Sequence, residues 1–295
     1  MSDRGEPLRL ENNVVRRVIG SFINRTFTMV ENYFPERLNI EEQVWIKDVN
    51  IAMKNLPPQF DGFRIAHVSD IHLGTWVKPF MLERIAALIN SIIPHLIIIS
   101  GDLVSSATLG YLPQYEEFLH QLQAPEGVVV VRGNHDCYAE KKEFKRIIEQ
   151  GGGVFLDNRL VEISREGQKL YLIGLDCSYY HQDDLGALLP KLHYKNANVL
   201  IVHEPDNADQ YAASGKIGLQ LSGHSHGGQI RLPWIGSPWL PRAGRKYPRG
   251  LYRFKGMQLY TNSGLGTSSA HLRIGCPPEI ALVRLLVQEQ TAGKS

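Results

Sequence analysis

A layered α/β fold, with sheets covered by helices, follows from three features of this 295-residue sequence. Strand patterns alternate with amphipathic helix patterns through residues 64–150. The second half then becomes strand-rich. Apolar strands in both halves stop at Asp, His or Asn, as they do when an open α/β sheet builds a site at the carboxyl ends of its strands.

The elements follow in order. Val44, Trp45, Ile46 and Val49 supply a short strand, which Lys47 and Asp48 place at a sheet edge. Leu56-Pro57-Pro58 and Asp61-Gly62 mark a turn. Residues 64–69, 95–100 and 128–132 read as strands, the last two buried. Residues 79–91, 111–122 and 139–150 read as helices, with Pro79 suited to a first turn and Gly151-Gly152-Gly153 closing the third. Seven further strands are expected at 160–163, 170–175, 199–203, 219–222, 251–254, 257–261 and 279–286. Three units are expected: a helical segment over 1–40, a main domain over 41–290 and a polar tail over 291–295.

Composition removes several classes of function. With 32 Lys and Arg against 30 Asp and Glu, the charge is too small for a dedicated nucleic-acid binder. Cys137, Cys177 and Cys276 have no paired spacing, so a disulfide scaffold and a four-cysteine zinc module are excluded. No stretch reaches the ~18 to 20 apolar residues of a membrane span. Arg16-Arg17 precedes a segment broken by Asn24 and Arg25, which leaves no apolar leader. A cytoplasmic protein with reduced thiols is expected. Within residues 12–34, Val15, Val18, Phe22, Thr26, Met29 and Tyr33 recur at helical spacing beside three arginines. That helix either docks on its own domain or lies in a membrane interface.

The chemistry sits where strands stop. Five strand ends deliver Asp70-x-His72, Gly101-Asp102, Gly133-Asn134-His135-Asp136, His203 and Gly223-His224-x-His226. Carboxylate, imidazole and amide without thiolate suit borderline to hard divalent ions such as Mn, Fe or Zn. Seven donors are too many for one tetrahedral ion, and two ions sharing a bridging carboxylate use them economically. Each motif alone is weak. Together, in order and each after a buried strand, they specify a site.

This set resembles the five motifs of the calcineurin-like metallophosphoesterases, over roughly residues 41–287. The resemblance implies a four-layer αββα sandwich of two mixed β-sheets flanked by helices. Residues 224–233, with Gly244-Arg245-Lys246-Tyr247, Gly250-Leu251-Tyr252, Gly264-Leu265-Gly266-Thr267 and Pro277-Pro278-Glu279-Ile280, are similar to the YkuE/YaeI-like bacterial subgroup. Members of that subgroup include membrane-associated proteins and hydrolases of UDP-2,3-diacylglucosamine in lipid A biosynthesis. Carried over, the resemblance gives Asp70, His72 and His226 to one metal, Asn134, His203 and His224 to the other, and Asp102 to both. It leaves His135 off the metals, near the leaving-group oxygen, as a general acid or transition-state donor, with Asp136 to orient it. Relatives often carry an acidic residue about three positions after the Gly-Asp, where this chain has Val104-Ser105-Ser106.

Other residues receive plainer readings. His67 is a core histidine, Cys137 is not a nucleophile, Asp176 caps a turn or supports the site, and Glu204 faces solvent. Residues 231–253 carry six Lys and Arg, four Trp and Tyr, and no Asp or Glu. Here Arg231, Arg245 and Lys246 are candidates for gripping a second phosphate, and the tryptophans for resting on lipid. The alternatives are a basic surface loop with its aromatics packed beneath and a contact with single-stranded nucleic acid. The expected activity is dinuclear cleavage of a phosphodiester or pyrophosphate, most simply in a lipid-linked substrate met at the inner face of the cytoplasmic membrane. A soluble phosphodiesterase, a phosphoprotein phosphatase and a silent scaffold are the alternatives.

Overall fold

The computed structural model describes residues 43–268 and 272–288; the expected segment 1–40, its helix at 12–34 and the tail 291–295 lie outside these. Two six-stranded sheets face each other. The first contains β1 (Trp45–Met53), β2 (Phe63–Val68), β3 (Leu96–Ile99), β4 (Val128–Val130) and β5 (Val154–Phe155). The second contains β6 (Arg159–Arg165), β7 (Gln168–Gly174), β8 (Ala197–Ile201), β9 (Leu219–Ser222), β10 (Gly250–Arg253) and β11 (Gln258–Thr261). The chain returns to the first sheet with β12 (Glu279–Val287). The orders are β1-β12-β2-β3-β4-β5 and β10-β11-β9-β8-β7-β6. Both sheets are mixed: β2 to β5 run parallel with β12 antiparallel to β2, and β7, β8, β9 and β11 run parallel between antiparallel edges.

Side-chain alternation sorts the layers. In β3, Leu96 and Ile98 join Val199, Ile201, Leu219 and Leu221 in the core between the sheets. Ile97 and Ile99 point the other way, against Ile85, Phe118 and Phe144 of the helices Leu82–Ser91, Gln114–Gln121 and Lys141–Gln150. In β8, Leu200 points outward to the short helices Leu185–Leu188 and Ala208–Ala213. The result is the expected four layers.

Several boundaries shift for local reasons. The helix expected over 79–91 opens as a 3-10 turn, Pro79–Met81. The one expected over 111–122 begins at Gln114, because Pro113 occupies the cap. The strand β5 and the two short helices lack enough residues to show a period in the sequence. As expected, β1 lies at a sheet edge, and Trp45 on it is exposed.

Candidate metal centre

The carboxyl ends of β2, β3, β4, β8 and β9 converge on one edge, and main-chain bonds stitch their loops together. Asp70 N–H donates to Gly101 O (2.9 Å), His72 N–H to Asp102 O (3.1 Å) and Gly223 N–H to His203 O (2.9 Å). Two glycines permit the approach. A Cβ on Gly133 would strike the Asp102 carboxylate, and one on Gly223 would strike Ser69 and Asp70. Five of the converging residues adopt positive φ: Asp70 (50°), His72 (46°), Asp102 (56°), His224 (71°) and His226 (52°). Such conformations cost on the order of 1–3 kcal/mol each and concentrate at functional sites.

All seven candidate ligands are buried, and three groups of potential ligand atoms each lie within 4.8 Å: Asp70-His72-His226, Asp102-His203-His224 and His72-Asp102-His135. Asp102 Oδ2 lies between them, 3.4 Å from His72 Nε2 and 3.2 Å from His203 Nε2. Asp70 Oδ1 is 3.3 Å from His226 Nε2. His72 Nε2 and His226 Nε2 face each other at 3.1 Å.

The far nitrogens are held by acceptors. His203 Nδ1 donates to Ser100 O (2.7 Å) and His224 Nε2 to Arg242 O (2.6 Å). Each bond fixes a tautomer and turns the other nitrogen inward. Those inward atoms, His203 Nε2 and His224 Nδ1, are buried without a hydrogen-bond partner, as is Asn134 Oδ1. Orphaned lone pairs beside two buried carboxylates fit divalent cations. Charge agrees. Burial lowers His72 and His226 to about 3, so both rings are neutral and free to donate. Burial opposes protonation of His203 too, but Asp102 and Asp70 outweigh it and hold this imidazole well above its ordinary value. The carboxylates thus draw a positive charge to the centre.

His135 is half-buried at the mouth, its ring 4.9 Å from that of His72. Its Nδ1 has no hydrogen-bond partner. Asp136 does not orient it. Both Asp136 oxygens instead accept main-chain N–H bonds from Asp102 (2.7 Å), Leu103 (2.9 Å), Val104 (3.3 Å) and Gly133 (2.9 Å). The turn Asp136–Tyr138 that follows His135 sends this carboxylate inward, away from the ring. Burial and the Asp102 charge push Asp136 up to about 7, while its N–H donors pull the other way.

Glu204 also corrects expectation. It is fully buried and accepts from Ser178 N (2.9 Å), Ser178 Oγ (2.8 Å) and Cys177 Sγ (3.1 Å), so the loop after β7 takes it out of solvent. Asp176 forms a buried bidentate pair with Arg132 (3.0 and 2.8 Å) and a further ion pair with Lys141 (2.7 Å). His67 is a core histidine as expected, bonded to Ser100 Oγ at 2.8 Å. Cys137 Sγ points to Gln182 (3.8 Å).

The basic loop divides. Lys246 forms an exposed pair with Asp209, and the Arg245 main chain bonds Asp206 (2.9 Å). Arg231, Arg242 and Arg245 are exposed. Tyr247 packs on Tyr252 and Phe254, but Trp234 stands fully exposed at the tip of a turn closed by Leu232 and Gly236.

Two further side chains support the ligands. Ser105 Oγ, in the 104–106 stretch where the family resemblance leads one to expect an acid, lies 2.8 Å from His72 Nδ1. The Arg273 guanidinium bonds the carbonyls of Ser263 (2.9 Å), Gly264 (3.0 Å) and Gly266, and reaches within 3.5 Å of His226 Nδ1. It clamps the 263–266 loop, whose Leu265 and Gly266 N–H groups bond the main chain at Ser69 and Asp70.

The family model for calcineurin-like phosphoesterases matches residues 63–228, the span that carries every one of these candidate ligands. The chain belongs to the calcineurin-like phosphoesterases. It is a metal-dependent phosphoesterase. It is similar to the metallophosphoesterase YkuE of Bacillus subtilis, at 33% identity over 78% of this chain and 81% of that protein. It is also similar to a Caenorhabditis elegans protein described as a metallophosphoesterase, at 30% identity over 76% of this chain and 48% of the other. Phosphodiesterase YaeI of Escherichia coli matches at 27% identity over 76% and 82%. No helix among the described residues is long and apolar enough to cross a membrane.

Proposed function

We propose that this phosphoesterase is dinuclear and cleaves a phosphodiester or diphosphate bond. The observation that supports this most is Asp102 Oδ2, within 3.4 Å of a donor nitrogen from each of two ligand groups. Asp70, His72 and His226 would hold one ion, Asn134, His203 and His224 the other, and Asp102 both. Manganese suits this donor set, as do iron and zinc. When bound, such a pair supplies an activated water and neutralises charge on the phosphoryl oxygens. The chain's own part is to pin the far nitrogens of His203 and His224 on main-chain carbonyls, to keep His72 and His226 neutral, and to place His135 at the mouth. There its ring can give a proton to the leaving oxygen or stabilise its charge.

The substrate reading is a lipid-linked diphosphate such as UDP-2,3-diacylglucosamine. It is supported by the exposed Trp234-Ile235 tip, 103% and 71% accessible, on a loop whose root binds His224 through Arg242 O. Such a tip can enter a lipid interface while the adjoining arginines meet anionic headgroups, so contact would be peripheral. One assay comparing UDP-diacylglucosamine with short phosphodiesters and phosphomonoesters tests this. Selective turnover of the lipid is expected, and equal turnover of a short diester would return the protein to a soluble phosphodiesterase. Co-sedimentation with anionic liposomes, lost on Trp234→Ala/Ile235→Ala, tests the surface itself.

A further inference from the structure

Six side chains form an unbroken arc across the mouth of the centre. The His135 ring lies 6.4 Å from that of Tyr138. Tyr138 Oη is 3.4 Å from Tyr180 Oη. Tyr180 meets Tyr179 edge-on at 5.1 Å, and Tyr179 lies 5.9 Å from His224. The Arg242 guanidinium covers the Tyr179 ring at 5.6 Å. The arc therefore runs from the proposed acid to a proposed ligand. It is assembled from both sheets: Tyr138 follows β4, whereas Tyr179 and Tyr180 follow β7.

These rings are not core. Tyr138 is 57% and Tyr180 41% exposed. They surround the side of the centre where His135 stands, which is where a departing group must sit if His135 serves its oxygen. Ring faces stack on planar partners, and a guanidinium beside them adds stacking and meets an adjoining anion. The phenol hydroxyls and the guanidinium make this wall polar at its rim, which suits a heteroaromatic ring better than an acyl chain.

We infer that this arc is a subsite for the leaving group, and that it takes a planar aromatic moiety attached to phosphate, the chemistry of a nucleoside monophosphate. The inference rests on the proposed role of His135 only for which end of the substrate lies there. Binding itself can be measured apart from turnover.

The test is titration calorimetry of the metal-loaded protein with uridine 5′-monophosphate, adenosine 5′-monophosphate and ribose 5-phosphate. One base stacked on an aromatic side chain strengthens binding by roughly 5- to 100-fold, so both nucleotides should bind more tightly than ribose 5-phosphate by that factor. Tyr138→Ala/Tyr180→Ala should erase the difference without changing metal content. Tyr138→Leu/Tyr180→Leu serves if the alanine pair fails to fold. Equal affinities in the wild type, or a nucleotide preference that survives the double variant, would overturn the inference. Nucleotide preference without turnover of any phosphodiester would instead remove the hydrolytic reading and leave the subsite standing.

Discussion

The Ser105 hydroxyl lies 2.8 Å from Nδ1 of the buried His72 ring. A neutral hydroxyl here does the orienting that a carboxylate does in many metal sites: with Nδ1 carrying the hydrogen, Ser105 Oγ accepts that hydrogen bond and the Nε2 lone pair faces Asp102. Ser105→Ala should therefore weaken metal binding by roughly 10- to 100-fold while the fold survives. Competition against a chelator measures it, and an unchanged affinity would show that packing alone holds His72.

Asp136 predicts a different phenotype. Removing its carboxylate strands four main-chain N–H groups, three in the turn that carries Asp102 and one at Gly133. Asp136→Ala should destabilise by about 3 kcal/mol or more, a melting drop of roughly 6 to 12 °C. The pH midpoint of activity should stay in place, since the carboxylate does not touch the His135 ring. A shifted midpoint with full stability would restore the His135-orienting role.

His135→Ala should keep metal stoichiometry and lower kcat by roughly 10²- to 10⁴-fold. The loss should shrink for esters with acidic leaving groups, which need no proton. Equal losses across a leaving-group series would make His135 a charge stabiliser only.

The metal-free protein should be acid-labile. His67, His72 and His226 are each lowered to about 3 by burial, below the ordinary 6.5. Between those values these three rings bind more protons unfolded than folded, and the opposing Asp136 carboxyl, held up at about 7, offsets only part of that difference. Stability from these rings is therefore full above about pH 6.5 and is lost as pH falls toward 3. Thermal melts across that window, with metal removed, should fall steadily. A flat profile would contradict the burial of these imidazoles as neutral rings.

How far the sequence reaches can be judged from these same residues. The five strand ends were legible because buried apolar runs such as 96–99 stop abruptly at chemistry-bearing residues, a local signal. His67 was legible as core from its place within a strand. Glu204 and Asp136 were not, because what buries each is remote: the loop at 177–178 in one case and the turn at 102–104 in the other. Adjacency to His135 suggested a partner for Asp136, but the tight turn between them sends the carboxylate elsewhere. The positive φ angles at Asp70, His72, Asp102, His224 and His226 are invisible in residue type, since no glycine stands there. Short elements such as β5 carry too few residues for a period.

The central claim is that two ions share Asp102. It is tested most directly by counting divalent metal per chain in the wild type and in Asp102→Asn, alongside turnover of a chromogenic phosphodiester with added manganese. The account predicts two ions per wild-type chain, with Asp102→Asn depleted of both and losing more activity than any other single ligand change. Normal metal content and near-normal turnover in Asp102→Asn would contradict it.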